Sequence, residues 1–119
     1  MRKMVIAGLS VVLAVGLAGV AMAAQAKKSV TGNLVDTFCY NAVGAHGPSH
    51  AQCAIKCAQK GIPVGLVEKG TSKMYILLPP KNDEPLPQDV IKRMETEVTV
   101  TGKEYSKGGV NFLTVDAVK

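Results

Sequence analysis

The chain contains no tryptophan, and its aromatic residues are limited to three tyrosines and two phenylalanines. Proteins that stack unpaired bases need aromatic side chains, so this scarcity argues against binding of single-stranded nucleic acid. The 14 lysines and arginines outnumber the 9 acidic residues and give a net charge of +5, but they are scattered and form no basic block. We therefore expect no nucleic-acid partner.

Patterns typical of catalysis are also missing. No serine lies in a nucleophile elbow, no Cys-x-x-Cys pair indicates a thioredoxin-like site, and no Cys-x-x-Cys-His sequence indicates haem attachment. Internal repeats and low-complexity segments are absent as well. The sequence therefore shows no catalytic constellation, and a binding or structural role is favoured over an enzyme.

The N-terminus has the features of a secretory signal peptide. Arg2 and Lys3 precede an apolar run from Met4 to Val20, and Ala21-Met22-Ala23 matches the small-x-small pattern that signal peptidase reads. No cysteine follows this pattern at the cleavage point, so a lipoprotein is not indicated. The sequence predicts a signal peptide over residues 1–23, and hence an exported protein that is periplasmic or secreted.

The predicted mature protein is one domain over residues 24–119, which is long enough for a single hydrophobic core. A second small-x-small pattern ends at Ala26, so the mature chain would begin at Ala24 or Lys27. The alternative to cleavage is a retained anchor, because the apolar run is long enough to span a bilayer. After cleavage we expect no membrane-spanning segment.

The hydrophobic pattern of the mature domain predicts short strands with little helix. Ser49 followed by Gln52 predicts a capping box at the start of the first helix. The predicted elements are, in order, a strand Ser29–Phe38, a loop Tyr40–Ser49, a helix Ala51–Gln59, strands Pro63–Glu68 and Lys73–Leu78, a short helix Gln88–Met94, and strands Glu97–Tyr105 and Val110–Val118. The predicted core residues are Val64, Leu66, Ile76, Leu78, Val98, Val100, Leu113 and Val115.

This order of elements predicts a mainly β fold. The expected architecture is a small five-stranded OB-fold-like barrel, with one added helix after strand 1 and a short helix between strands 3 and 4. Closure into a barrel removes the exposed edges that so small a sheet would otherwise have. An open antiparallel sheet with one helix packed on it is the alternative.

All three cysteines and both histidines lie within one short stretch of the mature domain. Cys53 and Cys57 are four residues apart on the predicted helix, and His50 precedes Cys53 by three, so the three share one face. Cys39, at the end of strand 1, is expected to reach the same face, which would complete a Cys₃His set. His46, in the flexible loop, is the alternative histidine. Thiolates with one imidazole suit Zn²⁺ or Cu⁺.

Two other interpretations of the cysteines remain open. Cys39 could form a disulfide with Cys53 or Cys57, as is common in small exported domains, and the domain would then be a stapled structural or protein-interaction module without a cofactor. A redox-active thiol is the third interpretation. Metal and disulfide compete for the same sulfur atoms, so the sequence does not choose between them.

Parts of the chain resemble a group of small exported bacterial OB-fold-like proteins with a Cys/His cluster. The segment Asp36–Pro63, which carries the three cysteines, His50 and Gly61-Ile62-Pro63, is similar to that group. The strand segments that share the resemblance are Gly32–Asp36, Val98–Lys103 and Leu113–Asp116, with the turn at Gly108-Gly109. The resemblance implies a fold and carries no activity.

Overall fold

The computed structural model describes residues 26–119. The predicted signal peptide over residues 1–23 lies outside the described residues, as does the predicted start of the mature domain at Ala24. The described chain forms six strands and three helices, with a 3-10 turn at Pro48–His50. The elements are β1 (Lys27–Asp36), α1 (Thr37–Val43), α2 (Ala51–Gln59), β2 (Val64–Glu68), β3 (Met74–Leu78), α3 (Gln88–Ile91), β4 (Glu97–Lys107), β5 (Val110–Thr114) and β6 (Ala117–Val118).

Five of the strands close into a barrel. β1 pairs antiparallel with both β2 and β4, β2 pairs antiparallel with β3, and β5 lies parallel to β3 and antiparallel to β4. The two-residue β6 pairs with β4 as an extra strand. This small mixed barrel, with α2 in the connection after β1 and α3 between β3 and β4, confirms the predicted fold class.

The two longest strands, β1 and β4, each pair with more than one strand, and a glycine lies where each changes partner. Gly32 is paired with both Glu68 of β2 and Val98 of β4. A Cβ atom at Gly32 would collide with the backbone carbonyl of Val67, and one at Gly102 would collide with the carbonyl of Thr114. These close backbone approaches allow only glycine at the two positions.

We expect Gly102→Ala to lower the free energy of unfolding by about 3 kcal/mol, because the added methyl group forces β4 away from Thr114 at the end of β5. Urea denaturation of purified protein measures the change. Gly65→Ala is the matched control, since a Cβ there would meet only side-chain atoms, at 3.1–3.3 Å, that can move. A Gly102→Ala variant with the wild-type denaturation midpoint would contradict this account.

The core lies inside the barrel and is closed by α2 and α3. The predicted core residues that are buried are Val64, Leu66, Val98, Val100, Leu113 and Val115. The prediction was wrong for β3, where Ile76 and Leu78 are half-buried while Tyr75 and Leu77 face inward. Every residue of β3 from Met74 to Leu78 is apolar or aromatic, so alternation could not reveal which side faces the core.

A small polar network surrounds the buried Tyr75 ring. Lys28 and Lys73 lie over the ring with their Nζ atoms 5.3 and 4.8 Å from its centroid, and Lys28 Nζ donates to the Tyr75 hydroxyl at 2.9 Å. Both ammonium groups also donate to the Glu104 carboxylate at 3.0 Å. These hydrogen bonds, of which the one from Lys28 has the larger effect and the one from Lys73 the smaller, hold the pKa of Glu104 below its ordinary value despite partial burial.

The lowered pKa of Glu104 predicts a contribution to stability that depends on pH. The contribution is fully present above the ordinary pKa of glutamate and is lost as the pH falls through the lower pKa of the folded state. We therefore expect Glu104→Gln to be less stable than the wild type near pH 7 and to converge with it below about pH 4. Chemical denaturation at several pH values tests this, and a constant difference at all pH values would contradict it.

The segment after β1 differs from its prediction. Strand 1 ends at Asp36 instead of Phe38, because Asp36 caps a helix that the sequence analysis did not foresee. Its Oδ1 atom accepts hydrogen bonds from the backbone amides of Phe38 and Cys39 at 2.8 and 3.1 Å. Gly44 ends this helix, α1, in the left-handed conformation at φ 69°. Residues 40–43 of the predicted loop are therefore helical.

The predicted capping box at the start of α2 is also wrong. Ser49 lies within the 3-10 turn, and α2 begins at Ala51 without a hydrogen bond from any side chain in the described part of the chain. The turn begins at Pro48, whose ring is suited to the first position of a helical turn. The backbone amide of Ala51 then donates to the Pro48 carbonyl, so the turn itself serves as the start of α2.

The predicted last strand, Val110–Val118, is divided in two. β5 ends at Thr114, and the chain then pairs again with β4 as β6, opposite Val100 and Thr101. The Thr114 hydroxyl accepts a hydrogen bond from the Lys103 backbone amide at 2.8 Å, and the Asp116 amide donates to the Thr101 carbonyl at 2.9 Å. These bonds replace regular pairing at the break between β5 and β6.

Candidate metal centre

The candidate centre lies in the connection between β1 and β2, which leaves and re-enters the barrel at one point. The backbone amide and the hydroxyl of Thr37 both donate to the Pro63 carbonyl, at 3.3 and 2.7 Å. Between these two residues lie α1, the 3-10 turn, α2 and the loop that joins α1 to the turn, and this segment carries all three cysteines and both histidines.

Cys39, His50 and Cys53 are brought together at one point. Each offers one ligand atom, and the three atoms lie within 4.8 Å of one another. Cys39 comes from α1, His50 ends the 3-10 turn, and Cys53 lies in the first turn of α2. Cys39 and His50 are partly buried, whereas Cys53 is exposed, so the group is open to solvent on the Cys53 side.

The geometry and the chemistry of this group both fit a metal ion. Ligand atoms bound tetrahedrally to Zn²⁺ at about 2.0–2.3 Å lie about 3.5–3.8 Å apart, so the group needs movements of only about 1 Å. His50 Nε2 is buried and has no hydrogen-bond partner among residues 26–119. A buried nitrogen without a partner is costly, and a metal ion would satisfy it. The group could therefore hold a metal.

The buried carboxylate of Asp36 controls the electrostatics beside the group. Burial raises the pKa of Asp36, but its interactions with the Cys57 thiol and with the amides of Cys39 and Phe38 outweigh burial, and the pKa lies below its ordinary value. Partial burial, followed by the charge of Asp36 and the proximity of Cys53, raises the pKa of Cys39. The Cys39 thiol therefore keeps its proton near neutral pH, and a metal would have to displace it.

Cys57 and His46, the other two predicted ligands, lie outside the group of three. Interaction with the Asp36 carboxylate, followed by partial burial, raises the pKa of the Cys57 thiol to about 12, and Cys53 lies nearby. His46 is exposed, and its ring lies 5.8 Å from the ring of Tyr40. A ligand role for Cys57 or His46 stays a prediction, whereas Cys39, His50 and Cys53 already converge.

Sequence reasoning missed one residue beside the site, Glu95. This residue precedes β4 and lies far from the cysteines in sequence, yet its Oε2 atom accepts a hydrogen bond from the Gly47 amide at 2.7 Å. No local motif marks such a contact, because the two residues are 48 positions apart. The cap at Asp36 was more accessible to prediction, since Asp at the end of a strand and Gly44 eight residues later match the start and stop signals of a helix.

The three cysteines are free thiols in this structure, so the disulfide expected under the alternative interpretation is not formed. The sulfur atoms of Cys39 and Cys53 are nevertheless within 4.8 Å of each other. Closing a disulfide would bring them to about 2.05 Å. These two sulfur atoms are thus placed to share a metal ion or to bond to each other.

Comparison of the chain with protein-family models, with curated proteins and with solved structures finds no match. Within residues 26–119, none of the helices combines the length and the apolar character that crossing a bilayer requires.

Proposed function

We propose that this protein is an exported, periplasmic metal-binding domain that holds Zn²⁺ or Cu⁺ reversibly through Cys39, His50 and Cys53. The observation that carries the proposal is the convergence of these three ligand atoms within 4.8 Å, with His50 Nε2 buried and unpartnered within residues 26–119. The proposal concerns binding of the ion for storage or delivery and involves no catalytic step.

The donor set selects the class of metal. Thiolate sulfur is a soft ligand and imidazole nitrogen is intermediate, so two cysteines and one histidine favour Cu⁺ and Zn²⁺ over the oxygen-preferring Mg²⁺ and Ca²⁺. The Oδ1 atom of the neighbouring Asp36 accepts from the amides of Phe38 and Cys39, and Asp36 lies outside the group of three converging ligand atoms. A thiolate-based site is therefore the chemistry that these residues favour.

The openness of the group favours reversible binding over a purely structural role. Structural zinc sites have four protein ligands and are closed, whereas sites that exchange a ligand keep one position open. Three ligands converge here, and the thiol of Cys53 is exposed. An incoming thiol or imidazole of a donor could reach the ion from this side, while the barrel core does not depend on the ion for its packing.

The predicted leader supports the proposed location. An N-terminal pair of positive charges, an apolar run and a small-x-small site direct a chain to export, and no twin-arginine pair is present. Such a chain crosses the membrane unfolded, so a metal would be acquired after export. The oxidising conditions outside the cytoplasm also make a disulfide between Cys39 and Cys53 the competing state.

The second candidate function is a disulfide-stapled structural or interaction domain, and the closeness of the Cys39 and Cys53 sulfur atoms is the observation in its favour. The two candidate functions predict different numbers of free thiols and different metal contents. A stapled domain would have one free thiol and no metal when isolated, whereas a metal-binding domain would have three reactive thiols after the metal is removed.

Elemental analysis and a free-thiol count on the protein purified from its native compartment test the proposal. The reduced protein is then titrated with Zn²⁺ and, under anaerobic conditions, with Cu⁺, each against a chromophoric competitor. We expect one ion per chain at micromolar concentrations. Folded, reduced protein that takes up neither ion at those concentrations would overturn the proposal, and Mg²⁺ serves as the control ion that should not bind.

A further inference from the structure

Glu95 is an unusual residue for its position. It is only 7% exposed, and its backbone adopts φ 63°, a conformation that residues with side chains rarely take. Its Oε1 atom is buried and has no hydrogen-bond partner in the part of the chain that the structure describes. A strained backbone and an incompletely paired carboxylate both cost stability. Residues with such costs are typical of functional sites.

The other carboxylate oxygen of Glu95 holds the loop that leads to His50. Glu95 Oε2 accepts a hydrogen bond from the Gly47 amide at 2.7 Å, and the Gly47 carbonyl accepts from the His50 amide at 2.9 Å. Gly47 adopts φ 99° and ψ 175°, a conformation open essentially only to glycine. The position of the His50 backbone thus depends on Gly47, whose amide is held by Glu95.

Glu95 is itself anchored to the strand that positions the first thiol. The Glu95 amide donates to the carbonyl of the buried Leu34 at 2.9 Å. Two residues later β1 ends at Asp36, whose carboxylate caps the helix that carries Cys39. One end of β1 therefore positions Cys39 through Asp36 and His50 through Glu95.

We propose that Glu95 is a positioning residue that sets the distance between His50 and the two thiols, and thereby the affinity for metal. This inference rests on the proposed function, because it assigns to Glu95 a role in the same site. A carboxylate accepting from a backbone amide makes a charge-assisted hydrogen bond, which is stronger than a neutral one. Loss of such an outer partner lowers metal affinity by about 10–100-fold.

The experiment compares Zn²⁺ affinity in the wild type, Glu95→Gln and Glu95→Ala. Gln keeps an oxygen that can accept from Gly47, so we expect affinity within about threefold of the wild type, whereas Ala removes the acceptor and is expected to bind about 10–100-fold more weakly. If the alanine variant does not fold, Glu95→Asn replaces it, because Asn tolerates positive φ and is too short to reach Gly47. Equal affinities of the folded variants would overturn the inference.

A double-mutant cycle separates positioning of His50 from a general effect on structure. In a His50→Ala background we expect Glu95→Ala to change Zn²⁺ affinity by less than about twofold, because the ligand that it positions is already gone. The same 10–100-fold loss in both backgrounds would overturn the inference.

A measurement on the metal-free protein keeps the inference separate from the proposed function. Glu95→Ala is expected to shift the NMR resonances of the Gly47 amide and the His50 ring while leaving those of the barrel strands near their wild-type values. If the wild type binds no metal but these shifts occur, the proposed function fails and the positioning role stands. Unchanged His50 resonances would overturn the positioning role.

Discussion

A Cys53→Ser variant is expected to bind Zn²⁺ or Cu⁺ at least about a hundredfold more weakly than the wild type, because it loses one of three converging ligands. Serine keeps the size and the helix compatibility of the residue and removes only the soft sulfur donor. Cys53 is exposed and at the first turn of α2, so the substitution should leave folding intact. Competitive titration of reduced protein measures the affinity, and the denaturation midpoint of metal-free protein verifies the fold.

Two variants serve as controls for this prediction. His46→Ala removes a histidine that lies outside the converging group and is expected to leave affinity within about threefold of the wild type. Cys57→Ser tests the third thiol, and a loss as large as that of Cys53→Ser would establish the predicted Cys₃His set. If Cys53→Ser binds Zn²⁺ or Cu⁺ with wild-type affinity, the converging group is not the binding site.

Oxidation of the metal-free protein with diamide is expected to join Cys39 to Cys53 and to abolish metal binding. The reaction forms one S–S bond, and the two thiol protons and two electrons pass to diamide, which becomes the corresponding hydrazine. The sulfur atoms already lie within 4.8 Å, and the loop they close is short enough that the bond should stabilise the fold by about 3 kcal/mol. Titration with Zn²⁺, chemical denaturation and peptide mapping of the product measure the three effects.

Zn²⁺ added before the oxidant is expected to slow the reaction, because thiolates bound to metal are unavailable to attack. Cys57→Ser is the matched control and should oxidise as the wild type does, whereas Cys39→Ser should not form the bond. Peptide mapping that finds Cys57 in the disulfide, or oxidised protein that binds Zn²⁺ as tightly as before, would contradict the prediction.

The barrel was predictable from the sequence because its strands are bounded by clear turn residues. Turn residues such as Gly70 and Gly108-Gly109 separate apolar stretches of strand length, and the helical piece between the third and fourth strands restricts the topology. Which residues of β3 face the core was not predictable, because Met74 to Leu78 is apolar or aromatic throughout and shows no alternation of polar and apolar residues. The inward-facing Tyr75 contacts Lys28 of β1 and Lys73 just before β3, and both lysines pair with Glu104 of β4.

The candidate site was predictable in composition and only partly in geometry. Helical spacing places His50 and Cys53 on one side, and the structure does bring Cys39 to them. The same spacing placed Cys57 with them, but in the structure Cys57 interacts with Asp36, the N-cap of a helix that was not predicted. Glu95 could not be found at all, since its contact with Gly47 joins residues 48 positions apart in the sequence.

The two ends of the β1–β2 connection lie next to each other, and this affects which substitutions the connection can accept. Because the Thr37 amide and hydroxyl meet the Pro63 carbonyl, the whole ligand-bearing segment joins the barrel as an insertion with its two ends together. Insertions of this kind are tolerated because lengthening a loop adds little to the entropy of closing it. Evolution, or an engineer, can therefore change the ligand set within residues 38–62 while retaining the barrel as the scaffold, provided that α2 keeps Ala54 and the face that closes the core.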